Sequence, residues 1–291
     1  MKRNLLISYF TGTYGTKWIA EELSNELKKL GIENKTYRID RSVNMQINYT
    51  NLFKDVDTLI LIYPVYAFNL PSLIKDWLTF MPENSCDTAA IISVSGSGIT
   101  KLNQASRAEA IEILQQKGIK TFYDKLLTLP SNVYANYSTN LNAAIIQKTK
   151  KLIKQSANNI AYRRIERTPI NYLKYIVRIT AHFQQKNRKK FRNSLIVTKD
   201  CNGCRTCALN CPVQNITMIN HKPKFYCECV ECFRCIYNCP QKAITSKKFK
   251  RYILPSYNIE EILNKSNLIQ KPLIPEKEKM KYKGIMKYLN Q

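Results

Sequence analysis

Residues 201–212 read CNGCRTCALNCP, and residues 229–240 read CVECFRCIYNCP. Each is C-x2-C-x2-C-x3-C followed by proline, and the second begins 28 residues after the first. The repeat runs past the cysteines: PVQNIT at 212–217 stands against PQKAIT at 240–245. Ile216 and Ile244 therefore fall at matching places, as two halves of a pseudo-symmetric core require. Nine of the 10 cysteines lie between Cys201 and Cys239; the tenth is Cys86.

The spacing has a physical basis. Three thiolates two residues apart on a tight loop wrap three irons of one cubane, and backbone N–H groups of the loop can hydrogen-bond the sulfurs. The fourth cysteine opens a short helix, and the proline after it marks the change of direction. Over roughly residues 196–246 the chain closely resembles the bacterial two-cluster ferredoxins, in which the fourth cysteine of each run ligates the opposite cluster. That resemblance implies one [4Fe-4S] cluster on Cys201, Cys204, Cys207 and Cys239, and a second on Cys229, Cys232, Cys235 and Cys211. It also implies the low end of the cluster potential range. Structural zinc and a disulfide framework are the alternatives. Zinc prefers paired hooks supplying four ligands, and disulfides, common in cysteine-dense secreted chains, do not need the two following prolines. Cys227 departs from the pattern: it reads as a spare thiol, or as a ligand in place of Cys229.

Upstream, strands and helices alternate. Residues 4–10, 34–39, 57–65, 89–94 and 120–129 read as strands, and 70–80, 105–116 and 140–161 as helices, with a first helix carrying Trp18, Ile19, Leu23, Leu27 and Leu30. Such alternation predicts an α/β doubly wound parallel sheet of five strands. Ligands of such sheets sit at the carboxyl ends of the strands. After the first strand come Thr11, Gly12, Thr13, Tyr14, Gly15 and Thr16, hydroxylic residues leading into a helix N-terminus that suits a phosphate. After the third come Pro64, Val65, Tyr66, Ala67 and Phe68, with two rings able to stack. After the fourth come Ser95, Gly96, Ser97 and Gly98, where glycine permits close backbone approach.

These loops resemble those of the flavodoxins, and the resemblance implies FMN: its phosphate at Thr11–Thr16, its ring between the other two loops. Tyr14 and Gly15 depart from the family's phosphate loop, where Gly and Asn are usual. The whole chain is similar to the flavodoxin–ferredoxin fusion proteins of anaerobes over about residues 1–257, Lys250-Arg251-Tyr252 included. The implied division is a flavodoxin-like, FMN-binding domain at 1–162, a basic helical linker at 163–195, a small α+β two-cluster ferredoxin domain at 196–246 and a basic C-terminal tail at 247–291.

Composition narrows the rest. With 44% apolar and 23% charged residues the chain is globular, neither collagen-like nor wholly disordered. The net charge of +25 is uneven: residues 151–198 carry 12 Lys+Arg against 1 Asp+Glu, and 246–291 carry 11 against 4. In the linker, Tyr172, Leu173, Ile176, Ile179 and Phe183 recur at helical spacing, with Lys174, Arg178 and Lys186 elsewhere on the wheel. A connecting helix docked on the flavin domain is the first reading, a face for an acidic redox partner the second, and a helix on an anionic membrane surface the third. No nucleic-acid motif is present, so nucleic acid is not an expected partner. The tail from Asn258 is Lys-rich and expected to be partly disordered. His182 and His221 stand in no catalytic constellation, and Cys86 is expected to be inert. No stretch is apolar for the roughly 20 residues a membrane span needs. Met1-Lys2-Arg3 and the apolar residues after it are too short for a signal peptide, so a first strand and a cytoplasmic protein are expected.

The function expected from these readings is intramolecular electron transfer: single electrons passing between two [4Fe-4S] clusters and an FMN in low-potential anaerobic metabolism. No acid, base or nucleophile suggests catalysis, which favours a carrier over the rival, an FMN-dependent oxidoreductase reducing a quinone or nitro compound. A third reading keeps the ferredoxin and leaves the first domain an empty docking module. A homodimer that sets one subunit's cluster against another's flavin is also open.

Overall fold

Leu5–Tyr9 (β1) is apolar enough to be covered on both sides, and all five residues are buried. In the computed structural model, which describes residues 4–40, 47–169 and 173–291, it is one of five parallel strands. The side chains of Lys174, Arg178 and residues 180–188 are outside that description as well. Of the linker positions above, Tyr172, Lys174, Arg178, Phe183 and Lys186 thus lie outside the described residues, as does His182.

The chain continues through α1 (Gly15–Lys29), β2 (Asn34–Arg38), α2 (Tyr49–Leu52), β3 (Thr58–Pro64), α3 (Ser72–Phe80), β4 (Thr88–Ser95), α4 (Lys101–Ala105), α5 (Ala108–Gln116), β5 (Lys120–Thr128) and α6 (Thr139–Ala161). The sheet order is β2-β1-β3-β4-β5, every pair parallel. This is the flavodoxin-like doubly wound order, with its switch point between β1 and β3. Strand period two divides the core. Leu6, Leu59 and Leu61 face Trp77 and Leu114 on one side, while Leu5, Ile7, Ile60 and Ile62 face Ile19, Leu23 and Ile153 on the other.

The helix expected over 105–116 is broken. Ser106 Oγ bonds back to the Asn103 carbonyl at 2.6 Å. Arg107 turns inward and meets the buried Asp124 at 3.1 Å. A guanidinium taken from water needs such a partner, and reaching it separates α4 from α5.

Past α6, residues 163–169 lie beside β5, where Glu166 pairs with Tyr123. Then follow α7 (Leu173–Ser194), β6 (Leu195–Val197), α8 (Thr206–Leu209), β7 (Ile216–Ile219), β8 (Lys222–Phe225), α9 (Arg234–Tyr237) and β9 (Ile244–Ser246). The strands β6 and β9 pair antiparallel, as do β7 and β8. Helix α7 buries Val177 and Phe191 and leaves Ile176 and Ile179 exposed. The Phe191 ring sits 5.1 Å from that of Phe233, so the helix ends on the cysteine half.

The 28-residue repeat is present in the backbone. Left-handed residues recur at that offset: Gly203 and Glu231, Arg205 and Phe233, Gln214 and Lys242. Holding non-glycine residues at positive φ is costly, and its recurrence at matched positions marks a shared loop geometry. Ile216 and Ile244 are both buried in one core cluster.

The tail corrects an expectation. From Asn258 the chain is not disordered but helical, in α10 (Ile259–Asn267), α11 (Glu276–Lys281) and α12 (Lys283–Leu289). The Asn258 side chain caps α10 by accepting from the N–H groups of Glu260 and Glu261. Glu278 accepts from Ser138 N at 2.9 Å and from its hydroxyl at 2.5 Å. The Lys-rich composition hides a short apolar set, Ile259, Ile285 and Tyr288, that is fully used. The Tyr288 hydroxyl lies 2.7 Å from Thr149 Oγ1. Replacing a buried ring of this size by alanine costs about 3–5 kcal/mol. Y288A should lower the denaturation free energy by that order, and Y288F by about 1 kcal/mol, as read by chemical unfolding. A Y288A protein as stable as the wild type would show that the tail does not pack.

Candidate functional site

The carboxyl ends of β1 and β3 and the cysteine half meet face to face. The meeting point is Arg234, first residue of α9 and 3% exposed. Its guanidinium donates to the carbonyls of Thr11, Gly12 and Asn210 and to the Asp40 carboxylate at 3.0 Å. Asp40, at the end of β2, is itself fully buried and also lies 3.6 Å from Arg38 Nε.

Around this pair the residues of the first loop are engaged by the chain. A Cβ on Gly12 would overlap the Tyr66 hydroxyl and come within 2.9 Å of the Cys232 carbonyl oxygen, so only glycine admits this approach. Thr13 Oγ1 accepts from Asn132 at 3.0 Å. Tyr14, left-handed at φ 66°, precedes α1 without giving it a side-chain cap, and its hydroxyl accepts from Asn238 at 2.9 Å. Gly15 faces Leu129 and Tyr257. Thr16 is buried, and the buried Thr11 Oγ1 has no hydrogen-bond partner.

In the second loop, Pro64 ends β3, and the Val65 N–H bonds to the Val94 carbonyl at 2.8 Å. Tyr66 packs edge-on against Phe10, centroids 6.1 Å apart. Burial raises its hydroxyl pKa well above the ordinary value, and the neighbouring Cys232 and Cys229 add to the rise. Ala67 and Phe68 both take positive φ. In the third loop, Asn103 donates to Ser95 Oγ, Ser97 Oγ and the Gly98 carbonyl. Gly96 lies against Ser131, and Gly98 against the backbone of Gly284 in α12. The glycines expected to admit a ring here admit the chain's own backbone.

Tested against FMN, these residues fit one end. An uncapped helix N-terminus beside an orphaned buried hydroxyl is a donor set suited to a phosphate. The faces of Gly12, Gly96 and Gly98 are taken by Tyr66, Ser131 and Gly284.

The cysteines fall into two sets. Cys201, Cys204, Cys207 and Cys239 line one cavity together with Met218 and Ile244. Burial pushes the Cys207 thiol up, and Cys239 and Cys201 are close enough to add to the rise. Cys204 is exposed, its thiol pulled down by hydrogen bonds from Thr206. In the other set, burial pushes Cys229 up to about 12, with Cys232 and Cys211 contributing. Cys235 is pushed well above its ordinary value, by burial first and then by Cys232, Cys229 and Cys211. Backbone N–H groups reach sulfur at matching points: Asn215 to Cys211 at 3.2 Å and Ala243 to Cys239 at 3.3 Å. Thiols buried this way are poor nucleophiles, and a metal is what would deprotonate them. Among the described residues no three His, Cys, Asp or Glu side chains converge on a single ion. Cys227 is exposed, 3.9 Å from Glu228 Oε1. Cys86 is buried, with burial pushing its thiol up to about 12.

Sequence reasoning missed Arg234 and Asp40. The available signal was Arg234 itself, a charge inside the second cysteine run where the first has Thr206.

No family model matches this chain, and no curated protein matches it. Among solved structures, it is similar to a flavodoxin of Streptococcus pneumoniae (14% identity, 55% of this chain and 99% of that one, TM-score 0.40). It is also similar to the flavodoxin of Megasphaera elsdenii (16%, 53% and 97%, TM-score 0.37). A third is the rubredoxin oxygen:oxidoreductase of Desulfovibrio gigas (14%, 55% and 36%, TM-score 0.38). All three concern about half of this chain, and the fold assignment rests on the order of its own five strands. Among the described residues no helix is long and apolar enough to cross a membrane.

Proposed function

We propose that this chain is an electron-transfer protein in which the cysteine half, 196–246, is a two-cluster ferredoxin-like unit and the sheet half, 1–162, holds FMN. The observation that carries the reading is the doubled loop, which repeats cysteine spacing, left-handed positions and the N–H to sulfur bond at one offset. Cys201, Cys204, Cys207 and Cys239 would hold one [4Fe-4S] cluster, and Cys229, Cys232, Cys235 and Cys211 the other. A cubane is held by four thiolates, each on its own iron, so its ligands surround a volume. Four cysteines around one cavity agree with that, and convergence on a single ion is not required. The clusters supply one-electron chemistry. The chain's own residues bury Cys207, Cys211 and Cys232 and direct N–H groups at the sulfurs of Cys211 and Cys239, which are means by which a protein tunes a cluster.

For FMN, Thr11, Gly12, Thr13, Tyr14, Gly15 and Thr16 would hold the phosphate, supported by the orphaned Thr11 hydroxyl. Residues 64–68 and 95–98 would flank the ring. The covered faces of Gly12 and Gly98 favour a second reading, in which the sheet half is a scaffold for the clusters. An electron partner of acidic surface suits the exposed Arg205 and Lys222 beside the first cysteine set.

Protein purified without oxygen should contain about eight irons per chain, four for each set of four cysteines, and one FMN. Iron without flavin, even after FMN is added back, would establish the scaffold reading. Absence of iron would overturn both. In the iron-loaded protein an alkylating reagent should label Cys227 and spare the other nine cysteines. Chelating the iron should then expose Cys204 first. Labelling of Cys229 with Cys227 protected would move the ligand to Cys227.

A further inference from the structure

The two cysteine sets stand in different surroundings, and one buried charge separates them. Cys204 is exposed, and the cavity of its set is bordered by the exposed Arg205. Cys232 is buried, and its carbonyl lies against Gly12 at the end of β1. The repeat places Thr206 in the first run where Arg234 stands in the second. Thr206 offers a hydroxyl, 3.3 Å from Cys204 Sγ. Arg234 offers a full positive charge that water cannot screen, two residues from Cys232 and next to Cys235.

On the cluster reading proposed above, we infer that Arg234, oriented by Asp40, raises the reduction potential of the site built on Cys211, Cys229, Cys232 and Cys235, making it the inward site, and that the Cys201 set is the outward port for a one-electron carrier. Each electron taken up adds one negative charge to a site, with no bond made or broken. A fixed cation in a surrounding of low dielectric favours that added charge. Arg205 at the outward loop is in water and acts weakly by comparison. Arg234 is carried by the cysteine loop itself and donates from Nε to the carbonyl of Gly12, whose face lies against Cys232, while Asp40 receives the guanidinium from the side of β2. Cation and anion therefore act on the inward site with unequal weight. Arg234 is a positioning and tuning residue: it holds the inward loop on Thr11 and Gly12 by their carbonyls and sets the local field.

The test is an EPR-monitored redox titration of the intact, iron-loaded protein beside R234Q, R234K and D40N. R234Q should lower one midpoint potential and leave the other in place. D40N should raise the same one, and R234K should stay near the wild type. A gadolinium chelate in the solvent should broaden the signal that the variants do not move. Opposite shifts are the signature of charge, because a packing defect displaces both variants in one direction. Two midpoints moving together, neither moving, like shifts in R234Q and D40N, or broadening of the displaced signal would each overturn the inference. If R234Q fails to accumulate, the upward shift in D40N with the other midpoint fixed decides it. A wild-type protein without iron defeats the cluster reading itself, an outcome distinct from loaded protein with unmoved potentials.

Discussion

A guanidinium without access to water must be neutralised and hydrogen-bonded where it lies, and much of this molecule's architecture satisfies that demand at Arg234. The carboxylate comes from Asp40, 194 residues away in sequence, and the carbonyls from Thr11, Gly12 and Asn210. Three separate elements are thus fixed to one side chain: the end of β1, the end of β2 and the turn after α8. Removing one member of such a set leaves a buried charge uncompensated, which typically costs 3–5 kcal/mol. The ion pair is poor evidence of net stability against an apolar core. It is good evidence of register, because no slip of the cysteine loop keeps all its bonds.

The contact explains why the two halves share a core. Cys207, Cys211, Cys232, Ile216 and Ile244 belong to the same buried cluster as Leu6, Phe10 and Trp77. The cysteine half joins that cluster at the strand ends, where Gly12 lies against Tyr66 and Cys232. Gly12 is the geometric condition for it, since any side chain would strike Tyr66 and Cys232. Gly98 is the corresponding condition at the tail, where a Cβ would strike the Gly284 backbone and φ is +77°. Glycine at a strand end reads equally as room for a ligand or room for another stretch of chain. In both places the chain itself makes the approach.

That ambiguity shows what was legible in the sequence. The strands were, because Leu5–Tyr9 and Thr58–Pro64 are apolar on both faces and only a doubly covered parallel sheet uses such runs. The 28-residue repeat was, because it carries its own register, and its left-handed positions recur in the backbone. The tail was not: Ile259, Ile285 and Tyr288 are few, spread over 30 residues, and lie among lysines that composition counts as solvated. Nor was Asp40, whose importance depends on a partner in another half of the chain. The break at Ser106 was hidden for the same reason, since Arg107 leaves the helical pattern to reach Asp124, and that pairing exists only once β5 is in place.

The same distinction sorts the charge. Most of the +25 lies in the linker and tail, whose lysines and arginines are nearly all exposed among the described side chains, and in water salt confines each charge to about 8 Å. Charge of that kind acts on approaching molecules through its sum, raising encounter rates with an acidic surface while leaving local chemistry alone. Arg107 and Arg234 do the opposite. Each is matched by one buried carboxylate, adds almost nothing to the long-range field, and acts strongly over a few ångströms. Arg107 spends that strength on the joint between α4 and α5, far from any cysteine run in sequence. Arg234 spends it beside Cys232, between the cysteine half and the strand ends, where a local field can distinguish one half of a symmetric repeat from the other.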